Sequence, residues 1–260
     1  MSEGGLGAVL WDLDGTVVDS EPSWFLAETT LVEGAGGSWS TEQAIGLIGS
    51  DLNHTAQVMR DNGVAGTNEQ IIDALMDIVI ANVVATEPWK AGIVDALTAC
   101  RDAGLPNVLV TMSWRRYSEQ IPKLLPGLWA VVLSGDDVKI GKPDPEIYLV
   151  ACAKVGLPPA RCVAVEDSPT GIASALAAGV PTVAIPNIAP VPAQPGLSRV
   201  ASARELTIDV LRRIQAGETI DTLGGVKGDV TGDVTGDVTG DVTGDVTGDV
   251  TGDVTGDGSL

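Results

Sequence analysis

An apolar run, Ala8-Val9-Leu10-Trp11, leads directly into Asp12-Leu13-Asp14-Gly15-Thr16. Two carboxylates therefore stand with one residue between them where a short buried strand stops, with Gly15 marking the break. Little else constrains a fold so strongly, because a strand that ends in this way holds its acids at the rim of a sheet. Parallel α/β folds place their ligands at that rim. Side chains two apart on a regular strand point to the same side, so Asp12 and Asp14 would face one site. Ionised acids this close repel each other, and a divalent cation is the natural partner that keeps both charged. Taken alone, the segment also fits a solvated Asp-Gly turn.

Along the chain, apolar runs alternate with helical patterns. Strands are expected at 7–11, 107–111, 129–134, 161–166 and 180–185, and helices at about 93–103, 114–124, 145–155, 169–178 and 203–216. This alternation predicts an α/β protein, a doubly wound parallel sheet with helices on both faces. Residues 18–88 break the pattern. They show helical periodicity, as in Ile71, Ile72, Leu75, Ile78 and Val79, without a clear strand run.

Three further segments carry chemistry. Val108-Leu109-Val110-Thr111 ends a second apolar run in a hydroxyl, with Ser113 just beyond. Gly141-Lys142-Pro143-Asp144-Pro145 sets one Lys in a Pro-rich loop ahead of a helix. Val163-Ala164-Val165-Glu166-Asp167-Ser168 runs a third strand into adjacent acids. With Asp12-Leu13-Asp14-Gly15-Thr16, these four ordered motifs resemble those of the haloacid dehalogenase-like hydrolases over roughly residues 7–215. Gly-Lys-Pro-Asp-Pro and Glu-Asp-Ser-Pro-Thr-Gly look like its phosphatase and β-phosphoglucomutase-like branch.

The resemblance implies a Rossmann-like core domain from residues 1–17 and 89–217, and a small α-helical cap, 18–88, inserted after the first strand. The motif spacing agrees: Asp12 to Thr111 spans 99 residues, whereas Thr111 to Lys142 spans 31. It also implies a Mg²⁺-dependent phosphatase acting on a small phosphorylated metabolite, a sugar or polyol phosphate. Asp12 would attack phosphorus to give an aspartyl-phosphate, and Asp14 would serve as general acid and base. Thr111 and Lys142 would bind the phosphoryl oxygens, and Mg²⁺ would be held by Asp12, the Asp14 carbonyl and Asp167. Glu166 would be a further ligand or an acceptor for metal-bound water. Asp144 matches a position that orients the Lys loop, or it caps the next helix.

Outside the four motifs the readings stay open. Ser113 and Arg115 are substrate-binding candidates beside the site, although Arg115 and Arg116 also suit an exposed helix. Trp24 and Trp39, with Trp11 and Trp114, either roof the pocket or pack. Asp19 lies at the entry to the cap as a hinge residue or a helix-starting turn, and His54 is expected to be a solvated or packed cap residue. A sugar-phosphate mutase would share every core motif. Mutases of this branch place a His where Trp24 stands, and an Arg after Leu-x-Gly where Ser50-Asp51-Leu52 follows Leu47-Ile48-Gly49. These departures favour hydrolysis. A catalytically silent binding protein is the remaining alternative.

Composition narrows the partners. The formal charge is −20, and the eight aspartates of residues 228–260 account for eight of those charges. The rest remains acidic, which argues against nucleic acid as a partner. Apolar stretches stay under ten residues, too short to span a membrane, and no secretory leader is evident, so a cytoplasmic protein is expected. Cys100, Cys152 and Cys162 lie among apolar residues and read as buried reduced thiols. Oligomeric state is left open, with a monomer favoured. From Gly228, Gly-Asp-Val-Thr repeats seven times, and 218–260 is expected to be a disordered acidic tail.

Overall fold

A computed structural model of the chain describes residues 4–47, 50 and 52–224. Among these residues the strands are β1 (Ala8–Trp11), β2 (Asn107–Val110), β3 (Val131–Leu133), β4 (Cys162–Glu166), β5 (Thr182–Ala184) and β6 (Leu197–Arg199). They form one parallel sheet in the order β3-β2-β1-β4-β5-β6. β1, β2, β4 and β5 are buried along their whole length, which explains why they read as continuous apolar runs rather than alternating ones. The expected fold class is therefore present.

The strand order reverses between β1 and β4, the position at which open α/β sheets bind ligands. Register fixes what arrives there. Trp11 is level with Leu109 of β2 and with Val165 of β4, so Asp12, Thr111 and Glu166 emerge together at the carboxyl edge.

Helices α1 (Glu21–Gly34), α2 (Thr41–Leu47), α3 (Leu52–Asp61) and α4 (Asn68–Thr86) occupy the stretch between β1 and α5 (Ile93–Asp102). α1 and α3 both pack on α4, which buries Ile71, Ile72, Leu75, Met76, Val79 and Val83 on one face. α4 starts at a capping box, in which Thr67 and Gln70 exchange side-chain to backbone hydrogen bonds. The two connections between these helices and the sheet run side by side. Val18 pairs with Trp89 in an antiparallel bridge, and the Asp19 amide donates to the Pro88 carbonyl at 2.8 Å.

The remaining helices are α6 (Arg115–Ser118), α7 (Ile121–Leu124), α8 (Glu146–Lys154), α9 (Pro169–Ala177) and α10 (Ile208–Gln215). Two expected helices are broken. At 114–124, Pro122 lacks an N–H and starts a new short helix, separating α6 from α7. At 203–216, a 3₁₀ turn over Ala203–Glu205 ends before Thr207, whose hydroxyl caps α10 by accepting from the Val210 amide at 3.2 Å. β6 was not expected. It is three residues long and follows the Pro-rich stretch 190–195, so no apolar run announces it.

The expected tail boundary at 218 also needs correcting. The Arg199 amide donates to the Ile220 carbonyl at 2.7 Å, and the Thr222 amide returns a bond to the Arg199 carbonyl at 2.9 Å. Asp221 pairs with Arg199 at 2.6 Å and Ile220 packs against the core. Residues 218–224 thus continue the domain past α10. The repeat at 228–255 lies outside the described residues. Among the described residues, no helix is long and apolar enough to cross a membrane.

Candidate active site

β1 delivers Asp12 to the carboxyl edge of the sheet, where its amide donates to the Val165 carbonyl at 3.0 Å. The turn that follows depends on Gly15, which has φ +85°; a Cβ there would run into the Asp167 carboxylate. Asp14, just before this turn, also lines the cavity. Its Oδ1 accepts from Ser20 Oγ at 2.6 Å, while its Oδ2 accepts from Ser113 Oγ at 2.5 Å and from Thr111 Oγ1 at 3.5 Å. Burial raises the Asp14 pKa, and the three hydroxyls oppose that rise.

Lys142 enters from its loop as a buried cation. Nζ donates to Asp12 Oδ1 at 2.6 Å, to Glu166 Oε1 at 2.6 Å and to the Val110 carbonyl at 3.1 Å. Burial alone would lower its pKa; Asp12 and Glu166 overturn this and hold it above the ordinary lysine value. Glu166 is fully buried and saturated. Besides Lys142 it accepts from Tyr148 Oη at 2.6 Å, Ser168 Oγ at 3.2 Å and the Asp167 amide at 3.3 Å. Gly171 makes room for it, because a Cβ on this residue of α9 would collide with the Glu166 carboxylate.

The acids outnumber the cation. Asp12, Glu166 and Asp167 bring carboxylate oxygens within 4.8 Å of one another, a group able to hold a metal ion. Burial, with repulsion from Glu166 and Asp14, lifts the Asp12 pKa to about 8 in spite of Lys142. Burial and repulsion from Asp12 and Glu166 lift Asp167 to about 9. Asp12, Asp14, Glu166 and Asp167 would carry four negative charges against the one of Lys142. A bound divalent cation removes most of that imbalance, so the donor set fits such an ion.

Beside these groups lies a cavity of about 610 Å³, lined by Asp12, Asp14, Thr111, Ser113, Lys142 and Asp167 and by Trp24 and other residues of α1–α4. Trp114 lines it as well. Arg115 does not. Its guanidinium pairs with Asp137 and with Glu119, the latter at 3.5 Å, and its amide donates to Asp136 at 2.7 Å, so α6 directs it away from the cavity. Arg116 reaches α4 instead and pairs with Asp73 at 3.0 Å and with Asp77. Trp11 is core, donating to Asn107 Oδ1 at 2.9 Å, and Trp39 donates to Glu28 rather than roofing the cavity. His54 is exposed on α3. Asp144 accepts from the Glu146 amide at 2.9 Å at the start of α8. Asp19 lies 3.9 Å from Lys90 at the crossing of the two connections.

Three participants escaped the sequence. Ser20 stands just before the Glu-Pro that opens α1 and offered no hint of its bond to Asp14. Tyr148 looked like ordinary helix core. Glu28 could have been found from its spacing seven residues beyond Glu21, on the same helical face.

Acids at the switch point of an all-parallel sheet, a buried lysine between them and a helical layer above define a hydrolase of the α/β class. Residues 6–179 match the model of the haloacid dehalogenase-like hydrolases, and the chain belongs to that family. It is a phosphoric monoester hydrolase of the phosphatase and β-phosphoglucomutase-like branch. Hexitol phosphatase A of Escherichia coli (strain K12) is 33% identical over 190 residues, covering 68% of this chain and 81% of that protein. Hexitol phosphatase B of the same organism is 26% identical over 184 residues, covering 69% and 83%. A crystal structure of a CbbY variant from Rhodobacter sphaeroides with xylulose-(1,5)bisphosphate superposes with TM-score 0.71 at 23% identity, covering 79% of this chain and 99% of that one.

Proposed function

We propose that this protein is a Mg²⁺-dependent phosphatase that hydrolyses the monophosphate of a small sugar or polyol through an aspartyl-phosphate on Asp12. The observation that carries the reading is the pairing at the end of β1: Asp12 lies against Lys142 at 2.6 Å, and Asp14 is held apart from it by Ser20 and Ser113. Two carboxylates in unlike surroundings suit unlike roles. Asp12 Oδ1 is taken by Lys142, and Oδ2 has no donor among the described residues, which leaves it to attack phosphorus. Lys142 balances charge on the phosphoryl oxygens, and Thr111 donates to one of them. Burial favours the protonated form of Asp14, as a general acid needs for protonating the departing alcohol. It then takes a proton from the water that releases phosphate from Asp12.

Asp12, Asp167 and the Asp14 carbonyl would hold Mg²⁺, which would neutralise the repulsion between carboxylate and phosphate. Glu166, with its oxygens occupied, is read as the acceptor that fixes Lys142 rather than as a ligand. The hexitol phosphatases among its relatives, and the xylulose bisphosphate held by CbbY, support a phosphorylated carbohydrate as substrate class.

Hydrolysis is preferred to phosphoryl return because no histidine lines the cavity among the described residues, and Trp24 stands on its cap side. The test offers β-glucose 1-phosphate with a trace of the bisphosphate, and reads phosphate release against glucose 6-phosphate formation. Phosphate release with little glucose 6-phosphate is expected. Glucose 6-phosphate forming much the faster would promote the mutase reading.

A further inference from the structure

Glu21, Trp24, Phe25 and Glu28 of α1 all line the cavity, and their spacing of three, four and seven residues is that of one helical face. Glu21 lies at the entry of α1, close enough to Asp14 to feel its charge. Glu28 lies two turns further on, about 10 Å along the helix axis at 1.5 Å per residue. It is only 4% exposed, a costly position for a carboxylate. Trp39 Nε1 donates to its Oε2 at 3.1 Å, which fixes the group, and its Oε1 has no donor among the described residues. Glu21 is similar: Oε1 accepts from Asn187 Nδ2 at 2.8 Å, and the buried Oε2 has no donor.

Among the described residues lining the cavity, those of α1–α4 include no cation to balance these acids. Lys142 is the one cation among the described residues lining the cavity, and Asp12 and Glu166 already engage it.

Resting on the phosphatase reading, we propose that Glu28 is the specificity-determining residue of an acceptor subsite at the cap end of the cavity, which takes the hydroxyls at the far end of an uncharged sugar or polyol monophosphate and rejects a second phosphate. A hydroxyl supplies the donor that Oε1 lacks. A distal phosphate supplies only acceptors and more negative charge, in a setting of low dielectric where like charges repel strongly. The two carboxylates would thus measure a linear substrate at both ends, Glu21 near the scissile group and Glu28 near the other.

The experiment compares kcat/KM for a hexitol monophosphate and for the matching bisphosphate, with Mg²⁺, in the wild type and in Glu28→Gln. It is run at about pH 8.5, because burial pushes the Glu28 carboxyl up to about 7 and the ionised form must dominate. The amide keeps shape and the bond from Trp39, and a melting curve verifies folding. The wild type should favour the monophosphate by about tenfold or more. In Glu28→Gln the ratio should shrink severalfold, through a lower KM for the bisphosphate and a higher one for the monophosphate. A wild type that hydrolyses both equally well would overturn the subsite even if the variant failed to fold. An unchanged ratio in a folded Glu28→Gln would do the same. A wild type inactive on every monophosphate would instead overturn the phosphatase reading, and this subsite with it.

Discussion

Asp14 and Asp12 are two residues apart and buried together, yet their neighbours differ in kind. Hydroxyls surround Asp14, and an ammonium faces Asp12. If Asp14 protonates the leaving alcohol, Asp14→Asn should lower kcat/KM on a polyol phosphate by about 10²–10⁴-fold. The loss should be far smaller on p-nitrophenyl phosphate, whose leaving group needs no proton. Equal losses on both substrates would remove the general acid role. Glu28 shows its burial through pH. Its carboxyl is raised from 4.5 to about 7, so its contribution to stability is present below pH 4.5 and is lost as pH rises through about 7. Glu28→Gln should therefore melt like the wild type at pH 4 and higher than the wild type at pH 8. Thermal scans at the two pH values check this, and an equal difference at both would contradict it.

At the scale of elements, the ends of β1, β2 and β4 bring the site together, and α9 closes it from below. Ordinarily Gly to Ala within a helix stabilises by roughly 1 kcal/mol. At Gly171 the sign should reverse, because the new methyl occupies the place of the Glu166 carboxylate and displaces the anchor of Lys142. Gly171→Ala should lower both melting temperature and kcat; a stabilised, fully active variant would contradict the packing. The same elements show what sequence could reveal. Strands buried on both faces are continuous apolar runs, so β1, β2 and β4 were legible in the sequence, with the acids that end β1 and β4 and the hydroxyl that ends β2. β6 was not, since three residues after a Pro-rich stretch carry no period. Tyr148 and Ser20 were equally hidden, because their importance lies in partners distant in the chain. The directions of Arg115 and Arg116 follow their pairing with Asp137, Asp73 and Asp77, partners that no local pattern discloses.

For the whole molecule, the sheet and its helices extend through residue 224, held at the end by Arg199, Asp221 and Ile220. Truncation after Gly217 should cost about 2 kcal/mol, or roughly 4–8 °C in melting temperature. Truncation after Gly224 should leave melting and turnover close to those of the full chain, since the repeat it removes has no aromatic or basic residue. Differential scanning of the two truncations decides where the domain ends, and equal losses would move the boundary. The proposed reaction is hydrolysis of a phosphate monoester through Asp12, by acids at a switch point with a divalent cation among them. It is tested most directly by phosphate release from a hexitol monophosphate, with wild type and Asp12→Asn side by side, in Mg²⁺ and in excess chelator. Release is expected only from the wild type in Mg²⁺. Release by Asp12→Asn at the wild-type rate, or by the wild type undiminished in chelator, would contradict it.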